Sequence, residues 1–196
     1  LLEKHSFIHS FQWIPRVRHD QRHNLESLAR KDGFTDFQFT TLNKDSTVRP
    51  IPPKNEYFPV YYMEPHRDHG PVLGFDIGTQ QNLLSHINQA RDSGKTAATK
   101  TKLWFHNDSK MATLIFAPFY AGKGTPKTME DRERLFMGTA LGIYWANDMI
   151  EQIISPYLVK GIFLTVFDED QKNKIYGNLK KGDLIKHSSL LNFSGR

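Results

Sequence analysis

Up to Ile14 the apolar residues Phe7, Phe11 and Trp13 stand among polar ones at a partly helical spacing. Pro15 disfavours helix at the residue before it, so a helix entering from upstream is expected to end here. From Arg16 to Asp32 good helix formers carry Val17, Leu25, Leu28 and Ala29 on a rough stripe, and Gly33 stands ready for the left-handed residue after a helix. That spacing predicts a long, mainly solvated helix. Phe37, Phe39 and Thr41 alternate with polar neighbours, which predicts a half-buried strand, and the proline-rich stretch from Arg49 to Pro53 predicts an irregular loop. Tyr57 to Met63 returns to aromatic and branched residues, with Pro59 confining it to a sheet edge or a bulge.

A further extended run, Val72 to Ile77, closes at Gly78, after which Leu83, Leu84, Ile87 and Ala90 fall at helical spacing until Gly94. Thr99 to Phe105 and Ala112 to Tyr120 predict a hairpin around Asn107, Asp108 and Ser109. A loop with Gly122, Gly124 and Pro126 leads to Thr128, whose hydroxyl can cap a short helix, with Asp131 three residues on as its return partner. Met137 to Ala146 predicts a buried strand, Asn147 a cap for a helix over Asp148 to Ile154, and Pro156 its end. Ile162 to Phe167 and Lys174 to Gly177 predict two last strands across the polar turn Asp168 to Asn173, and the tail beyond is polar. Strands and helices mix without the regular alternation of a parallel doubly wound sheet. An α+β class with antiparallel sheets and segregated helices is therefore expected.

Composition narrows the function classes. The 196 residues are 38% hydrophobic and 12% aromatic, enough for one large core or two small ones. Leu1 stands first instead of Met, which suggests an excised piece, and no window reaches the roughly 18–20 apolar residues that cross a bilayer. Absence of cysteine excludes disulfides, thiol nucleophiles and cysteine metal sites. The net charge of +5 invites a nucleic-acid partner, yet the bases are interleaved with acids, as in Arg16, Arg18, Asp20, Arg22, Glu26, Arg30, Lys31 and Asp32. A solvated helix face accounts for that pattern, and no nucleic-acid partner is expected.

Catalytic signatures are missing too. There is no G-x-S-x-G elbow, P-loop or H-E-x-x-H helix, and Gly122-Lys-Gly124 fails the dinucleotide pattern because Lys127 stands at the third glycine. No cofactor is expected. Glu64, His66, Asp68 and His69 could furnish nitrogen and oxygen ligands to a metal, against the plainer reading of a polar loop ended by Gly70 and Pro71. His5 with His9, and His19 with His23, stand four apart on expected helices and are read as solvated pairs. Asp76 is different: it lies in the apolar run Leu73-Gly-Phe-Asp-Ile-Gly78, where a carboxylate must face solvent or meet donors. It is either an acceptor for ligand N–H or O–H groups in a pocket or a cap for the turn that follows, and the residues alone leave both open.

Taken together, Phe11-Gln-Trp-Ile-Pro-Arg-Val17, Glu56-Tyr-Phe-Pro-Val-Tyr61 with Glu64-Pro65, Leu73-Gly-Phe-Asp-Ile-Gly78, Ala90-Arg-Asp-Ser-Gly94, Phe116-Ala-Pro-Phe-Tyr120 and Leu141-Gly-Ile-Tyr144 resemble, in order and spacing, the CHASE sensor domain family. Ile175-Tyr-Gly-Asn178 looks like the strand near that family's C-terminal end. The resemblance implies a non-catalytic periplasmic or extracellular domain between two flanking transmembrane helices. It implies a long N-terminal helical stalk (residues 1–33) and two PAS-like antiparallel-sheet subdomains, a membrane-distal ligand-binding one (34–146) and a membrane-proximal one (147–196) to which the stalk contributes. Members sit upstream of histidine kinases, diguanylate cyclases and phosphodiesterases, or nucleotide cyclases.

In the cytokinin receptors of this family an aspartate matching Asp76 accepts hydrogen bonds from the adenine ring, and a main-chain contact comes from the segment matching Ala97, Ala98 and Thr99. The resemblance then implies an apolar wall of Phe105, Phe116 and Tyr120 and aligns Asn107 with the polar side chain that meets the ligand's tail. Those receptors carry leucine where Ala98 stands here, which points away from cytokinin itself and toward another small planar, nitrogen-rich ligand, an amine or an amino acid. Two flanking helices side by side imply a homodimer. Three other readings compete: a pH sensor built on the nine histidines, a rigid dimerising spacer whose pocket is filled by some of its 14 phenylalanines, and a metal-assisted hydrolase using Glu64, His66 and His69.

Overall fold

A computed structural model describes residues 5–65, 72–102, 111–157, 164–167 and 174–177. Its centre is a five-stranded antiparallel sheet. It contains β1 (Ile8–Pro15), β6 (Tyr62–Glu64), β7 (Ala97–Lys102), β8 (Met111–Tyr120) and β9 (Phe136–Trp145), in the spatial order β6-β1-β9-β8-β7. Three short pairs complete the strands among the described residues: β2 (Val17–Arg18) with β5 (Glu56–Tyr57), β3 (Thr40–Leu42) with β4 (Val48–Pro50), and β10 (Val166–Phe167) with β11 (Lys174–Tyr176). The described residues also form four helices, α1 (His19–Lys31), α2 (Gln81–Ser93), α3 (Met129–Leu135) and α4 (Ala146–Ile153).

The helix expected up to Ile14 is corrected, so no single long helix opens the described chain: residues 8–15 lie inside the sheet between β6 and β9, whereas the helix expected over Arg16 to Asp32 is present as α1, after two strands. Alternation decides the matter, although it is disguised. Ser10, Gln12 and Ile14 all point inward and are buried, so two of the three inward positions are polar and do not register as an apolar stripe. The burial is tolerated because the Gln12 amide donates to Ser10 Oγ at 3.3 Å and to Met63 Sδ at 3.2 Å. Phe11 and Trp13, which suggested a helix face, emerge on the opposite side of the sheet.

On the inner face Met63, Ile14, Leu141, Ile143, Trp145, Ala112, Leu114 and Phe116 join Ile87 and Ala90 of α2 in one buried cluster. A second, smaller cluster forms where Ala29 and Leu25 of α1 meet Val17, Phe37, Phe39, Ile51 and Tyr57. Asp20 in the first turn of α1 and Arg30 and Lys31 in its last suit the helix dipole. Thr128 Oγ1 caps α3 by accepting from the Asp131 N–H at 3.1 Å, as its position predicts, and α2 stops at Gly94 with φ +70°. α4 follows β9 directly and so begins two residues earlier than an Asn147 cap would place it. The run Val72–Ile77 is not a continuous strand. Residues 72–74 turn at Gly74 (φ +80°), and Phe75 and Asp76 make single bridges to Thr40 and Pro59.

On the outer face aromatic rings cover glycine. A Cβ on Gly142 would come within 2.7 Å of the Tyr144 ring, which meets Phe11 edge-on at 6.0 Å, and Trp13 meets Phe119 in the same way at 5.6 Å. Gly138, at φ +149°, is tighter still, since its Cβ would sit 2.3 Å from the Ile14 carbonyl oxygen. Gly138→Ala is expected to lower stability by about 1–3 kcal/mol through strain and to loosen the β1–β9 pairing, read as a fall in Tm. Gly122→Ala, at φ +94° with nothing within 4 Å, supplies the strain without the collision and should cost less.

Tyr120 closes the last turn of α2. Its hydroxyl donates to the Arg91 carbonyl at 2.5 Å, with the Ala90 carbonyl at 3.5 Å, which satisfies a carbonyl that the helix end leaves without a partner. Tyr120→Phe is expected to cost about 1 kcal/mol. Burial pushes the Tyr120 phenol up, against an opposing effect of Arg132. The folded state therefore holds this proton more tightly, and the contribution is present below the ordinary phenol range and lost as pH rises through the folded value. The gap in Tm between parent and Tyr120→Phe should narrow in alkali, which a pH series of melting curves measures.

Candidate functional site

Asp76 lies where three irregular segments meet. Its N–H donates to the Thr40 carbonyl at 2.9 Å, its carbonyl accepts from Thr79 Oγ1 at 2.8 Å, and the next residue, Ile77, donates to the Phe58 carbonyl at 3.0 Å. The side chain is completely buried. Oδ1 accepts the N–H of Gly78 at 2.9 Å and of Phe58 at 3.1 Å, so one oxygen caps the 3-10 turn Ile77–Thr79 and also holds the chain that passes from β5 toward β6. Gly78 is needed in this place, because a Cβ there would lie 2.8 Å from the Phe58 ring and 3.0 Å from Asp76 Oδ1.

Oδ2 faces Lys54, whose Nζ stands 2.7 Å away. The contact is an ion pair and not a directed hydrogen bond, for Oδ2 receives no well-angled donor from any described residue. Lys54 belongs to the loop between β4 and β5. Its N–H donates to the Tyr57 hydroxyl at 2.9 Å, and its ammonium rests 5.3 Å from the centre of the same ring. Arg22 of α1 lies over the rings of Tyr57 (5.3 Å) and Phe39 (5.4 Å), held by Glu26 Oε1 at 2.9 Å and the Ile51 carbonyl at 3.0 Å. Burial works against the charge of Arg22, but its contacts with Tyr57 and Glu26 outweigh that and push its pKa up. Thr40 Oγ1, on the strand bonded to Asp76, is also buried and has no hydrogen-bond partner among the described residues.

Of the other proposed ligand contacts, the described ones, Ala98, Thr99, Phe116 and Tyr120, lie on the sheet. Phe116 is buried in β8 and stacks on His86 of α2 at 6.3 Å. The Tyr120 ring meets Phe136 at 5.9 Å, and Phe136 meets Phe58 at 6.5 Å, so an aromatic chain runs from Tyr120 to the residue whose N–H binds Asp76. Ala98 is exposed and Thr99 half-buried on β7, opposite Ile115 and Leu114. Among the described residues β7 ends the sheet, so every other backbone group along it points away from β8. Phe105 and Asn107 lie outside the described residues, as do His66, Asp68 and His69. No group of three metal-binding side chains occurs among the described residues. His5 precedes β1 and His9 lies in it, so the two do not share a helix, whereas His19 and His23 share α1, with His19 Nδ1 2.9 Å from the Tyr57 hydroxyl.

Lys54 and Thr40 were not legible as site residues. Lys54 stands in a proline-rich loop without periodicity, and its partner is remote in sequence. The one available signal was the demand that a carboxylate in an apolar run places on its surroundings: a cation has to come from somewhere.

No described helix is long and apolar enough to cross a membrane. Comparison with curated proteins finds no match to this chain. The family model of the CHASE domain, in contrast, matches residues 1–176. That match runs from the residues before β1 through β11, taking in the whole sheet, both apolar clusters and the Asp76 site, and the chain belongs to the CHASE domain family of extracellular sensor domains.

Proposed function

We propose that this sensor domain binds a small ligand carrying N–H donors, adenine-like or an amine, and that Asp76 accepts from it. The observation that supports this is the division of labour within one buried carboxylate: Oδ1 is taken by two backbone donors, while Oδ2, among the described residues, meets only an ammonium. Phe116 and Tyr120 would supply apolar wall, and the outward backbone edge of Ala98 and Thr99 a main-chain contact. Phe105 and Asn107 complete the proposed set. The ligand-binding subdomain would span residues 34–146, sharing its sheet with β1, and residues 147–196 would form the membrane-proximal one.

In the full-length receptor, flanking transmembrane helices would carry the signal from a periplasmic or extracellular domain to a cytoplasmic histidine kinase, cyclase or phosphodiesterase, with a homodimer as the working unit. The physical requirement is a population shift. Ligand must bind one arrangement of the domain more tightly than the other, and only that difference can move the equilibrium.

The test is a thermal-shift screen of the purified domain against adenine derivatives, other purines, amines and amino acids, repeated on Asp76→Asn. A compound at about 100 times its Kd adds about 2.7 kcal/mol to the folded state. That corresponds to a rise in Tm of about 5–10 °C for a chain of this size. A compound that stabilises the parent and not the variant supports the reading; a screen in which none of these classes shifts the parent overturns it.

A further inference from the structure

The loop that carries Lys54 touches more than Asp76. Asp76 has no exposed surface, whereas the Lys54 side chain is 32% exposed, so of the two side chains only that of the lysine reaches solvent. Oδ1 is committed to the Phe58 and Gly78 N–H groups, and a donor arriving from outside must therefore take Oδ2, where the ammonium now stands. The same loop grips the first turns of α1. The His19 N–H donates to the Asn55 carbonyl at 3.0 Å, and Arg22 Nη1 to the Ile51 carbonyl at 3.0 Å.

We propose that Lys54 is a tethered occupant of the Asp76 site: a ligand reaches the carboxylate by displacing the Lys54 ammonium, and the loop 51–55 that moves with it passes the event to α1. The proposal rests on Asp76 being the ligand acceptor. It also defines the ligand class. Removing the lysine without replacing it leaves a buried, uncompensated carboxylate, which is strongly unfavourable. The displacing group must then be an ammonium, an amidinium or a ring edge with N–H donors. Anions are excluded, and so are apolar molecules that lack such a donor. The loop has two arrangements, one with its own cation in place and one with the ligand's, and the ligand's advantage at Oδ2 sets their ratio.

Chemical rescue tests this without knowledge of the natural ligand. Lys54→Ala is expected to lower Tm by about 5 °C or more, as for loss of one partner from a buried ion pair. Ethylammonium chloride, which resembles the missing end of the lysine, should raise the Tm of Lys54→Ala well beyond its effect on the parent. Sodium chloride at equal ionic strength should not, and the Lys54→Ala/Asp76→Asn double variant should show no rescue. Because the rescuing cation carries no tether, the His19 amide in the rescued variant should still exchange with solvent faster than in the parent.

Rescue that is absent, matched by sodium chloride, or retained in the double variant overturns the proposal. Parent-like protection of His19 in the rescued variant overturns the relay to α1. If Lys54→Ala does not fold alone, recovery of folded protein on refolding in ethylammonium but not in sodium chloride is the supporting result, and no recovery is the opposing one. Failed rescue beside an Asp76-dependent compound removes the tether and leaves the sensor reading, whereas rescue with no compound found keeps the tether and removes the ligand.

Discussion

A carboxylate with no exposed surface holds this domain together at its least regular point. Around Asp76 the chain does not form a sheet: β3, the segment after β5, and the turn that opens α2 each contribute one or two residues, linked by isolated bridges. Backbone N–H groups buried in such a place have no ladder to join, and leaving one unpaired costs about 1–3 kcal/mol. Asp76 Oδ1 collects two of them, from Phe58 and Gly78. The charge that makes it a good acceptor is itself unfavourable in an apolar core, and Lys54 offsets it. The cap and the ligand acceptor are therefore not rival readings of this residue. One oxygen is structural, and the other is turned toward a cation.

The seam on which this site lies separates two cores. Along residues 57–61 the side chains alternate between them: Phe58 and Val60 enter the cluster beneath the sheet, while Tyr57 and Tyr61 belong to the cluster against α1. Pro59 sits in the middle and bridges to Asp76. A strand would ordinarily place such alternation between a core and water. Here both faces are buried, so a shift of this segment by one rotamer or a fraction of an ångström disturbs two packed interiors, which have little capacity to yield.

What could be read from the sequence divides along physical lines. The β9 strand was visible because Leu141, Ile143 and Trp145 face one core and its outward neighbours are small or aromatic. Gly94 and Thr128 were visible because a left-handed C-terminus and a hydroxyl cap are decided within a few residues. β1 was misread because Ser10 and Gln12 occupy inward positions through partners on the same and neighbouring strands, which no local window contains. Asp76 was conspicuous as a charge in an apolar run, but Lys54, its partner, was silent. An ion pair across an irregular loop leaves no period.

The anchors of α1 determine what a change at Lys54 can do to it. Its first turns are tied to the loop 51–55 through His19 and Arg22, while one turn further on Glu26 Oε1 accepts from Arg22 Nε at 2.9 Å and from the Phe39 N–H at 2.8 Å. Arg30 Nη1 donates to the Phe37 carbonyl at 2.8 Å near the helix's other end, and Ala29 is sealed in the second core. Loosening the loop frees only the first of these attachments. Glu26, Ala29 and Arg30 still hold the C-terminal half, so a change at the loop bears on the first turns of the helix alone. The start of α1 keeps its own ties, through β2 paired with β5 and His19 Nδ1 at 2.9 Å from the Tyr57 hydroxyl, and it leads through β2 to β1, the central strand nearest the start of the chain.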